Sequence, residues 1–225
     1  GMVTSVLIDD GTLLLVNNRE GKMKRIGSVK NHYFCQIEAR VFVYETFKDD
    51  DLVVHICFFD EDLNLYTFEE MRLDPLNSKS IGMTTPTITI VHDLSSTETS
   101  TDKKSNQMYR IQSRKMLGFE HCDMEDADDL TSTTMFYHQL SCGRLDKALA
   151  LAKQINQESL WKKLASHALC ERDTVVLKEC SSPLGFEMIT EEMHDDLTMF
   201  GEIAVEIGML EEAVNLYKDL DRKDL

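Results

Sequence analysis

The spacing of apolar residues changes once along this chain, and that change constrains the fold more than any single motif does. From Val3 to about Ile111, β-branched and aromatic residues come in short runs or alternate; beyond about Cys122, apolar residues recur every third or fourth position. A period of two turns one face of a strand to a core, whereas a period of 3.6 turns one stripe of a helix there. The fold class expected is α+β by segregated regions, with an all-β region over residues 1–116, a junction over 117–129 and a helical region over 130–225.

In the first region VTSVLI and TLLLV flank the turn-forming Asp9-Asp10-Gly11, and FCQIEARVFVYETF, LVVHICFF, LNLYTF and TPTITIVHD follow as further strands. The stretch Ser95 to Asn106 has no apolar residue and is expected to be a solvated loop, with a phosphorylated docking loop as the alternative. Strands of this length suit a sandwich, a barrel or propeller blades of roughly 40–45 residues each, of which about two to three would fit. Pattern alone leaves all three open. An incomplete set of blades has open sheet edges, which predicts self-association.

In the second region four stripes stand at i, i+3, i+4 and i+7: Leu145, Ala148, Leu149, Ala152; Trp161, Leu164, Ala165, Ala168; Phe200, Ile203, Ala204, Ile207; and Leu210, Ala213, Val214, Tyr217. Trp161 is expected in the core. Asp123 and Asp126 are expected to cap the first helix, Ser182 and Pro183 to open another, and Gly143 and Gly208 to end helices.

GRLDKALALAK, from Gly143 to Lys153, is echoed by GMLEEAVNLYK, from Gly208 to Lys218, so that Gly143, Leu145 and Ala148 stand in step with Gly208, Leu210 and Ala213. The copies lie 65 residues apart (208 − 143), close to twice the roughly 34-residue period of tetratricopeptide helix pairs. A degraded unit is therefore expected between them, turning at ERDTVVL, Glu171 to Leu177. The motif is steric: glycine supplies a left-handed turn, leucine closes the hairpin core, and alanine lets the neighbouring helix approach. A phosphate loop does not fit, because no second glycine and no Lys-Ser or Lys-Thr follows Gly143.

Charge narrows the partners. The net charge is −16, with 18 acids and 14 bases in residues 1–120 but 22 acids and 10 bases in residues 121–225. Nucleic acid is not an expected partner. No apolar run reaches the roughly 20 residues of a membrane-spanning helix, and the first residues lack a signal peptide's basic start and apolar stretch. The cysteines at positions 35, 57, 122, 142, 170 and 180 form no CxxC pair, as expected of reduced thiols in the cytosol.

The candidates for chemistry are few. His138 and Cys142 stand four apart on a helix, a spacing that suits two ligands of one metal, but two ligands do not complete a site; a half-buried helix surface is expected. His121 and Cys122 are read the same way. The run DMEDADD, Asp123 to Asp129, lacks the central glycine and closing glutamate of a calcium loop and is expected to complement a helix dipole. No serine sits in a GxSxG elbow and no cysteine has a nucleophile signature. A non-catalytic protein without cofactor or metal is expected.

The run from Arg114 to Ala165, together with GMLEEAVNLYKDLDRKDL at the end, resembles the intraflagellar transport protein 140 family, large subunits of intraflagellar transport complex A. The resemblance is carried by an LGxExCD-like element, Leu117, Gly118, Glu120, Cys122 and Asp123, followed by the turn with Gly143, Asp146 and Ala148 and by the later Gly208 to Ala213 run. Leu65 to Asp93 resembles more loosely the closing strands of that family's second propeller, and before about residue 50 the match fades. What the resemblance implies is a partial WD-repeat-type propeller leading into a tetratricopeptide-like solenoid, within a longer protein. It also implies a scaffold subunit in retrograde ciliary transport and ciliary entry of membrane proteins. Its partners would be other propeller-solenoid subunits of that complex and ciliary cargo or its adaptors; its location would be the cilium or flagellum, the ciliary base and the cytoplasm. Gly-His and Trp-Asp blade signatures are missing, and Cys180 to Asp196 departs from the family's pattern. The alternative is a vesicle-coat subunit of the same propeller-solenoid architecture.

Overall fold

The computed structural model describes residues 3–35, 40–74, 78–93, 109–120, 122, 126–186 and 197–223. Two compact units divide the chain, Gly1–Thr134 and Met135–Leu225. Among the described residues the strands end at Lys115 and the helices begin at Ala127, three residues before the expected start of the helical region (130 − 127), with the segregation that the change of period requires.

The first unit holds three antiparallel sheets. β1 (Val3–Leu7), β2 (Leu13–Asn17) and β3 (Met23–Ile26) form a meander in that order. Its first turn is the expected Asp9-Asp10-Gly11: Gly11 has φ +78°, Thr12 N donates to Asp10 Oδ1 at 2.8 Å, and Val29 N donates to Gly11 O at 2.8 Å. A side chain on Gly11 would meet Val29 O at 3.3 Å, so both conformation and space favour glycine.

β4 (Val29–Cys35), β5 (Val41–Lys48), β6 (Asp51–Phe59) and β7 (Leu65–Leu73) form the four-stranded sheet, again a meander. The run FCQIEARVFVYETF thus supplies parts of two strands. Asp49 and Asp50 both take positive φ between Lys48 and Asp51, the two-residue hairpin turn whose twist matches the strands. β5 and β6 are apolar on both parities, and Val41, Phe42, Val43, Leu52, Val54, Ile56 and Phe58 are fully buried. One face of this sheet shares a core with the first: Leu13, Leu15, Val29, Phe42, Phe59 and Leu63 cluster with Val3, Leu7, Ile26, Tyr44 and Leu65 around them.

β8 (Ser78–Thr84), β9 (Thr87–Asp93) and β10 (Tyr109–Lys115) form the third sheet, in the order β10-β9-β8. Ile88 and Ile90 of β9 are buried, whereas Tyr109 to Ser113 of β10 are exposed. The Ser95–Asn106 loop expected from composition lies outside the described residues.

The helices are α1 (Ala127–Ser141), α2 (Leu145–Ile155), α3 (Glu158–Glu171), α4 (Thr174–Leu184), α5 (Leu197–Glu206) and α6 (Leu210–Lys223). Asp126 caps α1, accepting from Asp128 N and Asp129 N at 3.0 and 3.1 Å, while Asp123 lies outside the described residues. Within the second unit α3 packs on α4, α5 on α6 and α2 on α3. Trp161 is buried in α3, and its Nε1 donates to Asn156 Oδ1 at 3.2 Å. The expectation that Ser182 and Pro183 open a helix is corrected: both lie in the last turn of α4, which Asp173 starts by accepting from Val176 N and Gly185 ends at φ +75°. A proline near a C-terminus and one in a first turn look alike in sequence; Gly185 just beyond is what distinguishes them.

Candidate functional site: helical turns and the strand-to-helix junction

The glycine motif marks a recurrent turn. Gly143, Arg172 and Gly208 all take left-handed conformations, at φ +69°, +56° and +78°. In each case the next residue donates its N–H five positions back: Arg144 to Gln139 O at 2.9 Å, Asp173 to Ala168 O at 2.8 Å, and Met209 to Ala204 O at 2.7 Å. This is the Schellman closure, which satisfies carbonyls that a helix end otherwise leaves open. In each case, too, the following helix begins two residues after the left-handed one, at Leu145, Thr174 and Leu210.

The turns at Arg172 and Gly208 close two helical hairpins, α3–α4 and α5–α6, whereas the turn at Gly143 joins α1 to α2 without packing one along the other; α2 packs instead on α3. The middle turn does lie within ERDTVVL, but at Arg172, one residue after the Glu171 that sequence alignment sets opposite the glycines. The units are therefore 29 and 36 residues long by this mark (172 − 143 and 208 − 172). Five residues after each turn stands a buried side chain, Ala148, Leu177 or Ala213, with 0%, 0% and 2% exposure. The leucine of the motif is less uniform. Leu145 is buried, but Leu210, expected to close a hairpin core, is 64% exposed, and Val214 and Tyr217 beside it on α6 are also exposed. The reason is rotational: α6 buries Ala213 and Leu216, a face about a quarter-turn away from the Leu210–Val214–Tyr217 stripe.

Close approach falls at a glycine outside the motif. A Cβ on Gly201 of α5 would lie 2.7 Å from Tyr217 Cζ of α6. Across the helices of the second unit, Ser166 Oγ on α3 donates to Glu212 Oε1 on α6 at 2.6 Å, and Lys153 on α2 pairs with Glu179 on α4 at 2.5 Å.

The junction begins where β10 ends. Leu117 and Gly118 form a turn, with Gly118 at φ +84°; Leu117 and Glu120 are exposed, Cys122 is buried, and Asp123 is outside the described residues. The residue that fixes this turn is Glu69 of β7. Its buried carboxylate accepts from Leu117 N at 3.0 Å through Oε2 and from Arg114 at 2.7 Å through Oε1. Phe119, fully buried, stands edge-on to Phe68, which stands edge-on to Phe58. Lys115 Nζ donates to Cys122 O at 3.2 Å, and burial followed by the neighbouring Asp129 pushes the Cys122 thiol up to about 11, far from thiolate chemistry. Sequence reasoning missed Glu69 and Phe119, although Glu69 shares its strand parity with the buried Met71 and Leu73 and so is an acid on an apolar face.

Among possible chemical groups, His138 is buried rather than half-exposed. Its Nε2 lies 3.7 Å from Cys142 Sγ and its Nδ1 3.1 Å from Gln139 Nε2. Among the described residues no group of three or more His, Cys, Asp or Glu is placed to hold a metal ion. On the four-stranded sheet, Thr46 Oγ1 lies 2.8 Å from His55 Nε2, and His55 Nδ1 lies 3.1 Å from Glu70 Oε1, with Tyr44 stacked on the imidazole at 4.6 Å. The order is that of a nucleophile, base and acid, and burial holds the His55 pKa below its ordinary value. Thr46, however, is paired on both sides, to Val29 and Val53, so its strand offers no free pair of N–H groups to stabilise an oxyanion. The cluster is a cross-strand hydrogen-bond network.

The class defined by these features is a chain of antiparallel sheets leading through a pinned turn into helical hairpins with a common closure. No protein-family model matches it. Among the described residues, no helix is long and apolar enough to cross a membrane.

Proposed function

We propose that this chain is part of a non-catalytic scaffold subunit of intraflagellar transport complex A, in which the sheets are blades of a partial WD-repeat-type propeller and the hairpins begin a tetratricopeptide-like solenoid. The observation that supports the reading is the recurrence of one turn geometry at Gly143, Arg172 and Gly208, with two of the three turns closing packed hairpins, as related helical units would have. The four-stranded meander and its two three-stranded neighbours support the blade assignment. The likeness of the junction, Leu117 to Cys122, to the same family supports the specific assignment.

The mechanism is surface display: stacked hairpins offer an extended acidic surface to partner subunits, and the sheets a rigid platform. Function is then retrograde transport in cilia and ciliary entry of membrane proteins, through contacts with other propeller-solenoid subunits and with cargo or its adaptors. The test is affinity purification of the full-length protein from a ciliated cell, with fluorescence localisation. Co-purifying complex A subunits and signal at the ciliary base and axoneme are expected; an exclusively Golgi or endosomal location would transfer the protein to the vesicle coats.

A further inference from the structure

Among the described residues β10 is an edge strand with seven residues, Tyr109–Lys115, paired to β9 on one side only. The phase of its ladder follows from one bond. Met116 N donates to Pro86 O at 2.8 Å, and the register pairs Arg114 with Ile88, Gln112 with Ile90 and Arg110 with His92. In an antiparallel pair hydrogen-bonded residues alternate, so Arg110, Gln112 and Arg114 turn their backbone groups to β9. Tyr109, Ile111, Ser113 and Lys115 turn theirs to the open edge.

The side chains fit that edge to a particular partner. Tyr109 and Ile111 are 55% and 68% exposed on one face, an apolar pair without cover among the described residues. Over the whole strand stand three cations, Arg110, Arg114 and Lys115, and no acid, in a chain of net charge −16. Arg114 is engaged by Glu69 and Lys115 by the Cys122 carbonyl, whereas Arg110 is exposed and has no acidic partner among the described residues. Open edges invite pairing, and charges on them select who pairs. A second copy docking antiparallel about Gln112 would set Arg110 opposite Arg114, which Glu69 already engages, and would bring Arg110 no acid.

We propose that the β10 edge binds an extended acidic segment of another protein, which adds as an antiparallel strand, with acids beside Arg110 and apolar residues beside Tyr109 and Ile111. The inference rests on ladder phase and charge and stands apart from the transport assignment.

A fluorescein-labelled decapeptide alternating valine and glutamate, titrated into the 225-residue chain and followed by anisotropy, tests it. Saturable binding is expected, weakened at least tenfold by Ile111→Pro, which removes an edge-facing N–H and leaves the β9 ladder intact. Arg110→Glu is expected to weaken the peptide by a similar factor and to favour a valine–lysine analogue instead. Circular dichroism of both variants establishes that they remain folded, and Val175→Pro on α4 serves as the reference for a change remote from the strand. Equal affinity of wild type and both folded variants would overturn the proposal, as would equal binding of a glutamate–proline decapeptide that cannot form a strand. So would a concentration-dependent dimer abolished by Ile111→Pro, which would make a second copy the occupant.

Discussion

Asp60 closes the β6–β7 hairpin by accepting four hydrogen bonds, from Asp62 N, Asn64 N, Asn64 Nδ2 and the Tyr66 hydroxyl, each at 2.9 Å. Burial raises its pKa, but the bonds from Asn64 and Tyr66 together outweigh that and hold it below the ordinary carboxylate value. With the folded pKa depressed, the stabilisation is fully present above the unfolded value and is lost as pH falls through the folded one. Asp60→Asn is expected to cost about 1–3 kcal/mol in urea unfolding at neutral pH, with the difference from wild type closing as pH falls through the depressed folded pKa. Glu69→Ala is expected to cost about 2–3 kcal/mol by the same measurement: it strands the Leu117 N–H and one side of Arg114, whose 40% exposure moderates the loss. A cost within about 0.5 kcal/mol would show that Glu69 does not hold the junction turn. Its role was legible in part, since strand alternation in LYTFEEMRL puts an acid among apolar residues, but the partner 45 positions away could not be read from spacing.

At the scale of elements, the three turns make opposite demands on their left-handed residue. Gly143 has no neighbour within 4 Å for an added Cβ, so Gly143→Ala tests backbone conformation alone and is expected to lose about 1 kcal/mol. Arg172→Gly is expected to gain up to about 1 kcal/mol, because it relieves a non-glycine residue at the same φ. Thermal unfolding of the two variants should shift in opposite directions. Gly201→Ala would gain helix propensity of about 1 kcal/mol on an open surface, yet here it drives a methyl into Tyr217. A net loss of about 1–2 kcal/mol is expected, recovered in Gly201→Ala combined with Tyr217→Leu; additive costs in that double-mutant cycle would deny the contact. Helices α2, α3, α5 and α6 were legible because their apolar periods are strong, whereas no such stripe was read over α1 or α4. β3 and β8 were not legible, because MKRI and SKSIGMT lie at sheet margins where no second apolar face is needed. Arg172 escaped for a related reason: a backbone that usually selects glycine is imposed here by the helices on either side.

For the whole chain, the segregation of strands from helices was legible because the apolar period changes only once, at a junction where the two periods meet. The boundary between compact units, at Thr134 and Met135, falls inside α1, where no change of residue type marks it. Charge follows the same division, and a protein of net charge −16 should be held by an anion exchanger and should pass through heparin at about 0.15 M salt. Retention on heparin would mean that the three cations of β10 outweigh the rest of the surface. Trp161 is the chain's one tryptophan, buried in α3 against the Asn156 amide, so selectively excited emission comes from the helical unit alone. The described strands are optically silent in that channel. A fluorophore confined to one unit lets emission be compared with a backbone signal from both, and any disagreement between their midpoints would separate the unfolding of helices from that of sheets without a label being introduced.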